Sequence, residues 1–206
     1  MIPLNVTSSS YSARSGLPAA GFARLGDRIG VLVVALLVLL PVLLVPVVPT
    51  QDGPVHLAIA GVIARDGWGG VLTGSAAAFL NWNPRVEPNV GAYVVLSALI
   101  GLTGDPVRAL GGFLTVYAAL WLFAAWALAR ALAWPRWLPF ALFLAPLIFA
   151  KPIHSGFFNY ALGLPLCVLF LALVFRAAAW RPLARGAALA LGLMVLALTH
   201  ITAFGA

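Results

Sequence analysis

IGVLVVALLVLLPVLLVPVV, residues 29–48, is an uncharged run of 20 residues. At about 1.5 Å rise per residue it matches the roughly 30 Å hydrocarbon core of a bilayer. Pro41 and Pro46 kink such a helix without stopping it. The run is longer than the about 7–15 residues of a signal-peptide core and leads into Val-Val-Pro-Thr rather than a small-residue cleavage site, so it reads as an uncleaved first span. The rest of the chain agrees: 63% of its 206 residues are hydrophobic and 8% charged, with a mean hydropathy of +1.06, where soluble domains carry about 25% charged residues. The expected fold is an all-α, polytopic transmembrane bundle of about five or six spans.

Outward from the first span, Met1 to Arg28 is Ser-rich and carries Arg14, Arg24 and Arg28 against Asp27. The positive-inside rule puts it in the cytoplasm as a disordered tail, with residues 29–206 forming the transmembrane domain. Asp52 then faces the opposite side. The chain ends within an apolar run, which suggests a transmembrane domain incomplete at its C-terminus. Arginine outnumbers lysine 11 to 1 and Ala, Gly and Pro abound, a composition that points to a high-GC bacterial gene and so to the inner membrane. The net charge of +7 is spread over short loops without interleaved aromatics, so nucleic acid is not an expected partner and membrane lipids are. Cys167, the single cysteine, excludes an internal disulfide.

Residues 49–88 form a long polar-interrupted outer loop, and long loops carry function more often than the usual short connections. Asp52 is placed as an N-cap, Pro54 fits a first turn and Gly67 a stop, which predicts a short interfacial helix over 54–66. Gly67 to Ser75 reads as irregular. Further apolar segments lie at 90–104, 107–129, 138–150, 157–175 and 187–204, and Gly104-Asp105-Pro106 signals a turn and a fresh helix start. If every segment spans, seven basic residues fall outside against five inside. If one segment between 90 and 129 is re-entrant or interfacial, the tally becomes eight inside against four outside, and Lys151, His154 and Asn159 join Asp52 on one face. The charge rule favours the second arrangement.

A carboxylate and an imidazole beside hydrocarbon lose hydration unless a partner or a wet site supports them, so Asp52 and His56 are candidate functional groups. Four residues apart on a helix, they share one face and can act as general base and orienting group, or supply two ligands to a divalent cation. No His/Glu spacing elsewhere completes a metal site, and the plain alternative is a helix cap beside a headgroup-level histidine. Arg85 and Glu87 flank the entry to the next apolar segment, where arginine suits bidentate phosphate recognition or a simple interfacial ion pair. Lys151, His154 and Asn159 interrupt two apolar runs and bring together a cation, an imidazole and an amide, either as ligands for phosphate and sugar hydroxyls or as a polar connector. His200, beside Thr199, reads first as a packing partner in the last run. No Gly-x-Ser-x-Gly, His-Glu-x-x-His, P-loop or Rossmann fingerprint occurs.

The order of these features over residues 29–206 resembles the N-terminal half of the GT-C-fold membrane glycosyltransferases, bacterial members of unassigned substrate included. The first span, Asp52 at the head of the first outer loop, the surface helix 54–66, the Asn83-Pro84-Arg85-Val86-Glu87-Pro88 entry and the Gly156-Phe157-Phe158-Asn159 stretch carry the likeness. It implies an inverting enzyme using a polyprenyl-phosphate sugar donor at the outer face of the inner membrane. Asp52 would then be the base, with His56 beside it, while Arg85 and Lys151 hold the donor phosphate. This chain departs from many relatives in having Lys151 and His154, and no carboxylate, in its second outer loop. A transport or lipid-handling protein and a noncatalytic membrane scaffold are the other classes compatible with the composition.

Overall fold

The computed structural model describes residues 17–45, 49–73, 89–134 and 137–200. Among them every regular element is helical: α1 (Leu17–Leu44), α2 (Gly53–Thr73), α3 (Gly91–Thr103), α4 (Pro106–Ala131), α5 (Trp137–Ile148), α6 (Lys151–His154), α7 (Phe158–Ala177) and α8 (Pro182–Thr199). Four stretches are long and apolar enough to cross a membrane, namely α4, the α5–α6 run over Trp137–His154, α7 and α8. Leu32–Leu44 of α1 and the whole of α3 are shorter apolar helices.

Local chemistry accounts for several boundaries. α4 starts at Pro106 because the Asp105 carboxylate accepts from the backbone N–H of Val107 at 2.8 Å and of Arg108 at 3.3 Å, and a proline in the first turn forfeits no hydrogen bond. α3 stops at Gly104, whose φ of 66° is the left-handed value that glycine adopts without strain and whose N–H closes on the Ile100 carbonyl. Gly67, at φ 70° and ψ 172°, breaks α2 where the stop was expected.

Three expectations need correction. α1 begins at Leu17, so residues 17–28 are helical and not a disordered tail; Pro18 fits its first turn, and the Ala- and Leu-bearing sequence beyond supports helix up to the apolar run. Beyond Gly67 the chain resumes helix to Thr73 in place of the irregular segment, because one left-handed residue redirects a helix without preventing the next turn. The last apolar helix runs over 182–199 and so begins five residues before the apolar segment at 187: Arg181 and Pro182 supply the earlier start, and His200, at φ −163° and ψ 130°, has left the helix, while 201–204 lie outside the described residues.

α4 is the hub, packing against α1, α2, α3, α5 and α7. Its buried face carries Phe113, Tyr117 and Trp121, with small residues such as Ala118 between them and Ala124 and Ala125 beyond, which lets neighbours approach closely. α4 and α7 run parallel, since Phe113 meets Phe158 near their starts and Ala127 and Leu128 meet Ala172 near their ends. α7 and α8 run antiparallel, with Gly192 against Phe170 and Tyr160 against His200. α5 starts beside the middle of α1, where Gly30, at the start of the apolar run, faces Leu138. The bundle therefore has two ends. The α6–α7 junction, the start of α2 and the end of α8 lie at one, and Arg130, Arg176 and Arg181 at the other. α3 starts beside Asn159 and Leu198 and ends three residues before α4 begins, at the same end of the bundle.

Candidate functional site at the loop-bearing end

The segment after α1 is sewn to the α6–α7 junction by backbone hydrogen bonds. Gln51 N–H donates to the His154 carbonyl at 3.0 Å and Asp52 N–H to the Ser155 carbonyl at 3.2 Å. Gly156 makes this approach possible. Its φ is 82°, and a Cβ there would lie 2.8 Å from the backbone nitrogens of both Asp52 and Gly53, so only glycine fits on grounds of both conformation and space. The Asp52 carbonyl accepts from His56 N–H at 3.2 Å, which starts α2.

His56, one turn into α2, is half-buried. Its Nδ1 lies 2.7 Å from the Tyr93 hydroxyl on α3, and its ring leans on Tyr93 and Phe158 with centroids 5.4 and 5.5 Å away. Burial holds the imidazole below its ordinary value of 6.5, with the nearby Asp52 charge opposing the shift. α3 is anchored at the same place. Asn159, buried at the start of α7, accepts through Oδ1 from Ala92 N–H at 2.7 Å, and Val90 N–H donates to the Leu198 carbonyl at 3.0 Å. The N-cap residue Val90 supplies no side-chain cap, so an amide 67 residues away satisfies a donor left over at the helix start.

These elements border an open cavity of about 620 Å³ lined by His56, Asn89, Tyr93, Phe157, Phe158, Asn159, Tyr160 and His200. Among the described residues two imidazoles, two phenols and two amides line it, and no lysine, arginine or carboxylate does. Aromatic faces with convergent neutral polar groups are suited to a sugar ring or another uncharged polar ligand. Asp52 stands outside the lining but close enough to influence His56. Among the described residues its carboxylate makes no hydrogen bond or salt bridge.

Of the residues singled out from sequence, Asp52, His56 and Asn159 come together here, with Asn159 occupied in holding α3. Lys151 and His154 are at the same end but exposed. Arg85 and Glu87 lie outside the described residues. Asp52 and His56 remain the two groups that a divalent cation would find, and no set of three His, Cys, Asp or Glu side chains converges among the described residues.

Sequence reasoning did not single out Tyr93, Asn89 or Tyr160 as site residues, and read His200 first as a packing partner. Asn89 carried a usable signal: between Pro88 and an apolar helix, asparagine is the residue most tolerant of the left-handed φ of 76° it adopts. Tyr93 and Tyr160 each sit within a few residues of a helix start, the position where a tyrosine keeps its ring in an apolar layer and its hydroxyl near polar groups. No family model, curated protein or solved structure matches this chain.

Proposed function

We propose that the chain is a GT-C-like glycosyltransferase, or part of one, that uses a polyprenyl-phosphate sugar donor at the outer face of a bacterial inner membrane. One observation carries the reading: the backbone pairing of residues 51–52 with 154–155 brings Asp52 to the segment whose Phe157, Phe158, Asn159 and Tyr160 help line an aromatic-walled cavity of about 620 Å³. The cavity receives the sugar. Asp52 takes the proton from an acceptor hydroxyl, the freed oxygen bonds to the anomeric carbon, and the bond from that carbon to the phosphate oxygen breaks with its electron pair leaving on the polyprenyl phosphate. A single in-line displacement inverts the anomeric centre. Lys151, at the same end, and Arg85, in the same loop as Asp52, supply positive charge for the phosphate.

The disposition of charge supports an outward-facing cavity. Arg130, Arg176, Arg181 and Arg185 belong to the end of the bundle away from it, which the positive-inside rule assigns to the cytoplasm together with the N-terminus. α2 and α3 then form an outer layer, and α3 is the segment that enters without crossing.

Reconstituted protein supplied with radiolabelled polyprenyl-phosphate hexoses is expected to transfer label to acceptor, and Asp52→Asn to abolish transfer while inserting normally. Undiminished transfer by that variant removes Asp52 as the base. Single cysteines at 52, 154 and 181, in a Cys167→Ser background, are expected to react with an impermeant maleimide from outside at 52 and 154 and from inside at 181. Labelling of 52 and 154 from opposite faces would sink the topology.

A further inference from the structure

His56 and Tyr93 meet through one hydrogen bond, and its direction decides what the imidazole offers to the cavity. A neutral imidazole has one N–H and one bare nitrogen. If Nδ1 carries the hydrogen, Nε2 is a base; if Nδ1 accepts, Nε2–H is a donor. The 2.7 Å separation between Nδ1 and the phenol oxygen fits either direction. Chemistry discriminates between them. A phenol is a stronger acid than a neutral imidazole N–H, and an imidazole nitrogen is a better acceptor than a phenol oxygen, so the O–H···N arrangement is favoured. Among the described residues the Tyr93 hydroxyl has no other hydrogen-bond partner. With Nδ1–H in the bond instead, the phenol hydrogen would have to turn away from His56 and into the cavity to find an acceptor.

We infer that Tyr93 is a positioning residue: its hydroxyl donates to His56 Nδ1, which fixes the imidazole as the Nε2–H tautomer and makes His56 a hydrogen-bond donor to an oxygen of the bound ligand, not a base. Rings on two sides hold this arrangement, with Tyr93 and Phe158 both leaning on the imidazole. The neutral state of His56 that burial favours is the one in which the tautomer matters. Asn159 contributes one step further back. By accepting from Ala92 N–H, the residue before Tyr93, it sets where α3 begins and so where the phenol points. Two groups four residues apart thereby take opposite roles, the carboxylate receiving a proton and the imidazole donating a hydrogen bond. The role in transfer rests on the glycosyl-transfer reading, whereas the tautomer does not.

The chain contains three histidines, which makes the test direct. Protein labelled with ¹⁵N in its imidazoles and reconstituted in nanodiscs is examined by nitrogen NMR at neutral pH, with the His56 signals assigned by their loss in His56→Gln. Expected are a bare-nitrogen shift at Nδ1 and a one-bond proton coupling at Nε2 in the wild type. Tyr93→Phe, which removes one oxygen and keeps the ring, is expected to move the His56 signals toward averaged tautomers while those of His154 and His200 stay in place. A wild-type coupling at Nδ1, an imidazolium spectrum, or a Tyr93→Phe spectrum with unchanged His56 signals overturns the assignment. Loss of transfer in Asp52→Asn bears on the reaction alone, so the two readings fail separately.

Discussion

The two ends of this bundle are built in different ways. At the far end, Arg130, Arg176, Arg181 and Arg185 are exposed at or near helix ends. Nothing there joins distant segments by hydrogen bonds among the described residues. At the cavity end, backbone and side-chain bonds link 51–52 to 154–155, His56 to Tyr93, Ala92 to Asn159 and Val90 to Leu198. The far end is a charge boundary that tolerates change, whereas the cavity end is a polar joint whose parts depend on one another.

The same substitution at the two ends should separate them most sharply. Gly156→Ala forces a Cβ against two backbone nitrogens at a φ of 82°, and it is expected to destabilise the protein by roughly 2–5 kcal/mol through strain and broken rungs. Gly186→Ala sits in α8 near the arginine end with nothing within 4 Å of the added carbon. It is expected to be neutral or to stabilise by up to about 1 kcal/mol, since alanine favours helix. Thermal unfolding in one detergent reads both. Equal effects would mean that the joint contributes no stability of its own.

A smaller loss is expected from Asn159→Ala. The buried Ala92 N–H would lose its acceptor, at about 1–3 kcal/mol, and the start of α3 would loosen. Hydrogen exchange at Ala92 and Tyr93 should rise in this variant while exchange in the Ala124–Leu128 stretch of α4 stays slow. Uniform acceleration would instead make Asn159 a general core residue.

How much of this was legible follows from the range of the interactions involved. The apolar runs at 107–129 and 157–175 fell within a few residues of α4 and α7, because span length and hydrophobicity are properties of contiguous sequence. Asp105-Pro106 and Gly67 were readable for the same reason: a cap and a left-handed stop are local. Tyr93 was not readable as the partner of His56, nor Asn159 as the cap of α3, since 37 and 67 residues separate the pairs and a lone tyrosine or asparagine in an apolar run looks like any other. The polar cluster at 151–159 was noticed, but its most consequential member was Gly156, which has no side chain to attract attention. The helical turns beyond Gly67 were not read, because a glycine that ends one helical segment does not forbid another.

The smallest expected effect concerns pH and again distinguishes the ends. In the folded protein burial holds His56 below its ordinary value of 6.5, whereas the unfolded chain binds a proton near that value. Above about pH 6.5 the imidazole is neutral in both states and contributes no pH dependence. As the pH falls below that, the unfolded state gains a proton that the folded state resists, so stability declines, and the decline levels off once the pH has passed below the folded value. Half-burial and the opposing Asp52 charge keep the effect modest. Melting temperatures between pH 7.5 and 5 should therefore show a fall in the wild type that is shallower in His56→Gln. The arginines of the far end keep their charge throughout this range, so Arg181→Gln should leave the slope unchanged. A wild-type slope that persists in His56→Gln would place the acid sensitivity elsewhere, and the cavity imidazole would then be more open to water than its contacts with Tyr93 and Phe158 imply.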